Sequence, residues 1–115
     1  MVLSEDRLQQ ECFIWFSNDY KMYRGLLFHV PNGGFRLSRE AAKLKTMGVV
    51  SGVSDLIFLW KGRVYFFELK TKIGKQSKDQ IRWESLVKNE GFNYFLIRTF
   101  EEFKKEILHL INKYD

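Results

Sequence analysis

Asp55, Glu68 and Lys70 are the side chains of this sequence whose types and spacing could do chemistry. Asp55 precedes the apolar run Leu56-Ile57-Phe58-Leu59-Trp60, Glu68 follows Val64-Tyr65-Phe66-Phe67, and Lys61-Gly62 parts the two runs. Both runs are rich in β-formers and predict a β-hairpin. With the turn centred on Lys61-Gly62, Trp60 faces Arg63 and, counting outward along both strands, Asp55 faces Glu68. Directly opposed residues have Cβ atoms about 4.5–5.5 Å apart, and like charges so placed repel unless something lies between them. A divalent cation resolves the repulsion, because Mg²⁺ prefers oxygen ligands at about 2.0–2.1 Å, takes one or two carboxylates and keeps its other positions for water and phosphate oxygens. Lys70 lies two residues beyond Glu68 and therefore points to the same face. Its ammonium can bind a phosphate or help to orient and deprotonate an attacking water. The cation would lower the pKa of that water and neutralise charge developing in the transition state. The plainer alternative makes Asp55 a strand-start residue and Glu68 and Lys70 the solvated charges of an exposed strand. Against it, an unpaired carboxylate following four apolar residues is costly.

The elements that must position these residues follow from periodicity and caps. Ser4 can cap a first helix running to about Asn18, with Leu8, Cys12, Trp15 and Phe16 at helical spacing. Leu26, Leu27, Phe28 and Val30 read as a strand ending at the turn Pro31-Asn32-Gly33-Gly34, and Arg39 to Lys45 as a short helix broken by Gly48 and Gly52. After the hairpin, Ser77-Lys78-Asp79-Gln80 has capping-box form and opens a helix that should close at Gly91. The strand Asn93 to Ile97 follows, and a second capping box, Thr99 to Glu102, starts a helix whose Phe103, Ile107, Leu110 and Ile111 share one face. A strand, helix and returning strand form a right-handed parallel crossover, so Arg63 to Lys70 and Phe92 to Arg98 should be parallel neighbours in a mixed sheet. Both hairpin strands are apolar on both faces, which implies helices on each side and a three-layer α/β domain.

Composition bounds the rest. The 115 residues, 45% hydrophobic and 17% aromatic, make one domain, 1–115, with material for a single core. No stretch approaches the roughly 20 apolar residues of a membrane span and no signal-peptide pattern is visible, so a soluble cytoplasmic protein without membrane partners is expected. Cys12 is the single cysteine, which excludes an intrachain disulfide and a thiolate zinc cage. Nineteen Lys and Arg against fourteen Asp and Glu give a net charge of +5, which favours polyanionic partners. Many basic proteins of this size bind no nucleic acid, so the site chemistry must decide.

Several residues carry two readings. Glu11, with Leu8, Trp15, Arg7 and Ile14 as helical neighbours, is expected at the edge of the buried stripe, where it either reaches the metal site or pairs with Arg7. Gln80 is either a site residue or only the partner of Ser77 in the cap, and Trp83 either a site or a core aromatic. His29 closes an apolar strand, which is more often structural than catalytic. Asn32 is first a turn former. Arg36, Arg39, Lys43 and Lys45 form either a surface contacting a nucleic-acid backbone or a solvated helix face.

Asp55, twelve residues, then Glu68-Leu69-Lys70 resembles the D-x(n)-E-x-K core of the PD-(D/E)xK nuclease superfamily. Gln9-Gln10-Glu11, His29-Val30-Pro31-Asn32 before a glycine pair, Gly48, Gly52-Val53-Ser54-Asp55 and Gln80-Ile81-Arg82-Trp83 occur with it in an order that resembles the VRR-NUC family, over about Gln9 to Arg98. Ser54 departs from the proline of the superfamily motif, at a position that supplies backbone shape. The resemblance implies a restriction-endonuclease-like αβββαβ core and metal-dependent phosphodiester hydrolysis. Stand-alone members of this length belong largely to phages and bacteria and resemble homodimeric nucleases that cut branched DNA such as Holliday junctions. By position, Asp55, Glu68 and the Leu69 carbonyl would bind Mg²⁺ or Mn²⁺. Lys70 would be the catalytic lysine, Glu11 a further acidic ligand, Gln80 a helix-borne contributor and Trp83 structural. DNA is then the expected partner, contacted by Arg36, Arg39, Lys43, Lys45, His29 and Asn32. A nucleic-acid-binding module without catalysis is the alternative.

Overall fold

The computed structural model describes residues 4–31 and 38–113. Asn32 and Arg36 lie outside them. Helix α1 (Glu5–Asp19) starts where the Ser4 hydroxyl accepts from the Arg7 amide at 3.1 Å, and a 3-10 turn follows at Lys21–Tyr23. Strand β1 (Leu27–His29), helix α2 (Ser38–Thr46), strands β2 (Leu56–Trp60) and β3 (Arg63–Leu69), helix α3 (Lys78–Asn89), strand β4 (Asn93–Ile97) and helix α4 (Phe100–Lys113) complete the order. The 3-10 turn, which has no side-chain cap, is an addition to the expected elements.

The sheet runs β1-β2-β3-β4, antiparallel except for the parallel β3–β4 pair. Trp60 pairs with Arg63 and Leu56 with Phe67, the register expected from a turn at Lys61-Gly62. Both turn residues have positive φ, 49° at Lys61 and 77° at Gly62. Two positive φ values match the right-handed twist of the strands, which is why a two-residue turn closes here.

One sheet face carries Leu56, Phe58, Trp60, Tyr65, Phe67 and Leu69, which are buried together with Leu8, Cys12 and Phe16 of α1 and Phe103, Ile107, Leu110 and Ile111 of α4. Burial raises the Cys12 thiol to about 12, with Glu11 adding to the shift, so this cysteine is a core residue rather than a reactive one. Trp15 packs edge-on against Tyr20, Phe100 and Phe103. The Trp15-Phe16 region and the apolar face of α4 are therefore spent inside the domain. The other face carries Ile57, Phe66 and Glu68 and is covered by α3, whose Trp83 meets Phe66 edge-on at 4.8 Å between ring centroids. This is the expected three-layer α/β arrangement, with helices on both faces because both faces are apolar.

Helix α3 opens with the complete capping box: Ser77 Oγ accepts from the Gln80 amide at 3.2 Å and Gln80 Oε1 accepts from the Ser77 amide at 2.8 Å. Thr99 Oγ1 caps α4 through the Glu102 amide, and the Glu102 carboxylate returns to the amide of Arg98, one residue earlier than an ideal box. Helix α2 has no buried side chain among 39–46, and no helix among the described residues is long and apolar enough to cross a membrane.

Candidate active site

Asp55 and Glu68 arrive at one place because the hairpin register continues past the Leu56–Phe67 pair. Asp55 sits at the strand entrance, where its Oδ2 accepts from the Leu69 amide at 2.7 Å. Its backbone carbonyl accepts from the Val30 amide at 3.4 Å and from His29 Nδ1 at 2.6 Å. His29 thus fastens the backbone of Asp55, and because a carbonyl only accepts, Nδ1 carries the proton. Burial raises the Asp55 pKa; the Leu69 amide lowers it, Glu68 and Glu5 raise it further, and Lys70 lowers it.

Glu68 is 1% exposed. Its Oε1 accepts from the Tyr94 hydroxyl and from Gln76 Nε2, the latter at 3.1 Å. Gln76 Nε2 also donates to Glu84 Oε1 at 2.8 Å, and Glu84 is held in turn by Lys88 at 2.6 Å. Burial raises the Glu84 pKa, but the bonds from Lys88 and Gln76 more than offset this and hold it below the usual glutamate value. Burial and the bonded Glu68 carboxylate hold the Tyr94 phenol well above its ordinary range, so it stays a donor. Glu68 Oε2, by contrast, is buried without a hydrogen-bond partner, with Lys70 Nζ 3.9 Å away as its ion-pair neighbour. Lys70 itself is 7% exposed.

No family model matches the sequence, and no curated protein matches it. Among solved structures, one described as "VRR_NUC domain protein" superposes with a TM-score of 0.78 at 22% identity, covering 97% of this chain and 91% of its own. Another, described as "VRR_NUC domain", gives 0.60 at 23% identity and covers 91% and 95%. The chain has the VRR_NUC fold.

In this VRR_NUC fold Asp55, Glu68, Leu69 and Lys70 form one cluster at the sheet entrance. Among the described residues no three acidic, histidine or cysteine side chains converge as a metal cage. Two carboxylates nevertheless suit Mg²⁺ or Mn²⁺, which leave several positions to water and phosphate. Glu68 Oε2, buried and without a hydrogen-bond partner, could serve such an ion as a donor.

The outer residues fall differently. Glu11, expected at the edge of the buried stripe, is exposed, because the stripe is centred on Leu8, Cys12 and Phe16. The carboxylate of α1 that acts on Asp55 is Glu5. Gln80 spends its Oε1 on the cap, and Trp83 packs on Phe66 and Tyr94. Arg39, Lys43 and Lys45 are exposed on α2. Sequence reasoning missed Tyr94 and Gln76. Tyr94 reads as one more β-former, and Gln76 as the loop residue before a cap; the parallel pairing of β3 and β4 brings Tyr94 to Glu68, and the fold of the β3–α3 loop brings Gln76.

Proposed function

We propose that this chain is a divalent-cation-dependent endonuclease that hydrolyses phosphodiester bonds of DNA, selective for branched structures such as four-way junctions or flaps. The observation that carries the reading is Glu68 Oε2, buried and without a hydrogen-bond partner beside Asp55 and Lys70. A buried carboxylate oxygen in that condition costs stability unless a cation compensates it. Asp55 and Glu68, with the Leu69 carbonyl, would hold Mg²⁺ or Mn²⁺. When bound, the ion would neutralise charge developing at the scissile phosphate and make water a better nucleophile.

The chain's own residues do the remainder. Lys70 Nζ, on the same face as Glu68, either holds the scissile phosphate as an ammonium or, as the neutral amine, helps to orient and deprotonate the attacking water. His29 fixes the Asp55 backbone. Arg39, Lys43 and Lys45, with Arg36 and Asn32, contact the DNA backbone, which positions a duplex without reading its sequence. Glu11 and Gln80 are outer contributors, and their alanine variants are expected to lose less activity than Lys70→Ala. One domain offers one such centre, whereas resolving a junction needs two symmetric cuts, so the working form is a C2 homodimer.

The test is cleavage of labelled four-way junction, flap, nicked and linear duplex DNA with Mg²⁺, Mn²⁺ or EDTA. Metal-dependent cutting should fall by at least about 10²-fold in Lys70→Ala that still folds. Salt-sensitive binding with no cutting under any metal would replace this reading with a non-catalytic DNA-binding module.

A further inference from the structure

The two oxygens of Glu68 live in different surroundings. Oε1 is taken by two donors from separate elements, the Tyr94 hydroxyl on β4 and Gln76 Nε2 from the β3–α3 loop. Oε2 is buried with no hydrogen-bond partner. Each donor is itself held. Tyr94 is buried beside Trp83, with 6.1 Å between ring centroids. Gln76 is anchored by its second bond, to Glu84, which Lys88 secures. The loop behind Gln76 is fixed by Arg98, whose Nη1 faces the carbonyls of Thr71 at 2.6 Å, Lys72 at 3.3 Å and Gly74 at 2.8 Å.

From this asymmetry we propose that Tyr94 and Gln76 are positioning residues that occupy Oε1 and leave Glu68 a single donor oxygen, so that the site favours small octahedral cations over Ca²⁺. The inference rests on Asp55 and Glu68 being the cation site. Mg²⁺ and Mn²⁺ accept a carboxylate through one oxygen in a tight octahedron, whereas Ca²⁺ takes six to eight oxygens and commonly grips a carboxylate by both. An Oε1 already saturated by two donors cannot turn into a two-oxygen grip without breaking both bonds. Partners behind the ligands therefore set the denticity of Glu68, and with it the choice of ion.

The experiment is calorimetric titration of the full chain with Mn²⁺ and, separately, with Ca²⁺, in the wild type, Tyr94→Phe and Gln76→Met, with no DNA present. Tyr94→Phe keeps the ring and removes only the donor; Gln76→Met acts from the loop and carries the same test if the β4 variant does not fold. Mn²⁺ affinity is expected to fall about 10–100-fold in either variant, the usual loss on removing a ligand's supporting partner. Ca²⁺ affinity should hold or rise, so that the preference for Mn²⁺ over Ca²⁺ shrinks by about the same factor. Equal losses for both ions would mean that Tyr94 and Gln76 only support the fold, and unchanged values would mean that they do not act on Glu68; either result overturns the inference while leaving the nuclease reading standing. A wild type that binds neither ion overturns both.

Discussion

Burial raises the pKa of Asp55, and the carboxylates of Glu68 and Glu5 add to the shift against the pull of the Leu69 amide and Lys70. An acid whose native pKa lies above its unfolded one contributes stability that is fully present below the ordinary value of 3.8 and is lost as the pH rises through the raised value. At neutral pH without a cation, ionised Asp55 is thus less favourable to the fold than its protonated form. Asp55→Asn, which keeps an oxygen for the Leu69 amide, should raise the Tm in EDTA by a few degrees at pH 7, and the gain should vanish toward pH 3, as a thermal melt series would read. Mg²⁺ should reverse the ranking, because a ligand at about 100 times its Kd adds about 2.7 kcal/mol to the form that binds it. Asp55, Glu68 and Lys70 were legible from the sequence because alternation along a strand and pairing across a two-residue turn are short-range rules. Tyr94 was not, since its meeting with Glu68 depends on how a whole crossover helix returns the chain.

Among the elements, the junction between the Asp55 loop and α3 tolerates least change. Gly52 has φ +89°, and a Cβ there would stand 2.3 Å from the Asp79 carbonyl oxygen and 2.8 Å from the Gln80 nitrogen. Ser51 Oγ bonds Asp79 Oδ2 at 2.6 Å across the same contact. Gly52→Ala therefore meets both an unfavourable backbone region, worth about 1–3 kcal/mol, and backbone atoms that cannot rotate away. Urea unfolding should give a loss of at least that size. Ser77→Ala, which removes half of the capping box, should cost about 1 kcal/mol by the same measurement. Gly52 reads in the sequence as a helix breaker and as part of the run resembling the VRR-NUC family; that it marks the close passage of loop against helix is a tertiary fact. The caps at Ser4, Ser77 and Thr99 were legible because a cap is decided within four residues. Glu11 was misplaced at the stripe's edge because periodicity tells which helical face is apolar but not how far the covering sheet extends beside it.

For the molecule as a whole, a net charge of +5 becomes a DNA-binding surface only if the exposed cations of α2 meet phosphate. Replacing Arg39, Lys43 and Lys45 together by Gln should then weaken binding alike for every sequence and flatten the dependence of log K on log salt by about 1 per lost contact. Light scattering at micromolar concentration should give twice the 13.8 kDa of one chain, and a monomer would remove the paired-cut geometry. The same helix has a further consequence. With no side chain fully buried among 39–46 and only Ala41 and Leu44 partly covered, α2 has little packing to hold it, whereas Tyr65 to Leu69 of β3 are buried. In deuterium exchange, the amides of α2 should label through local opening that costs little, while those of β3 should wait for the domain to unfold, so the helix proposed to meet DNA can open while the strand that carries Glu68 stays closed.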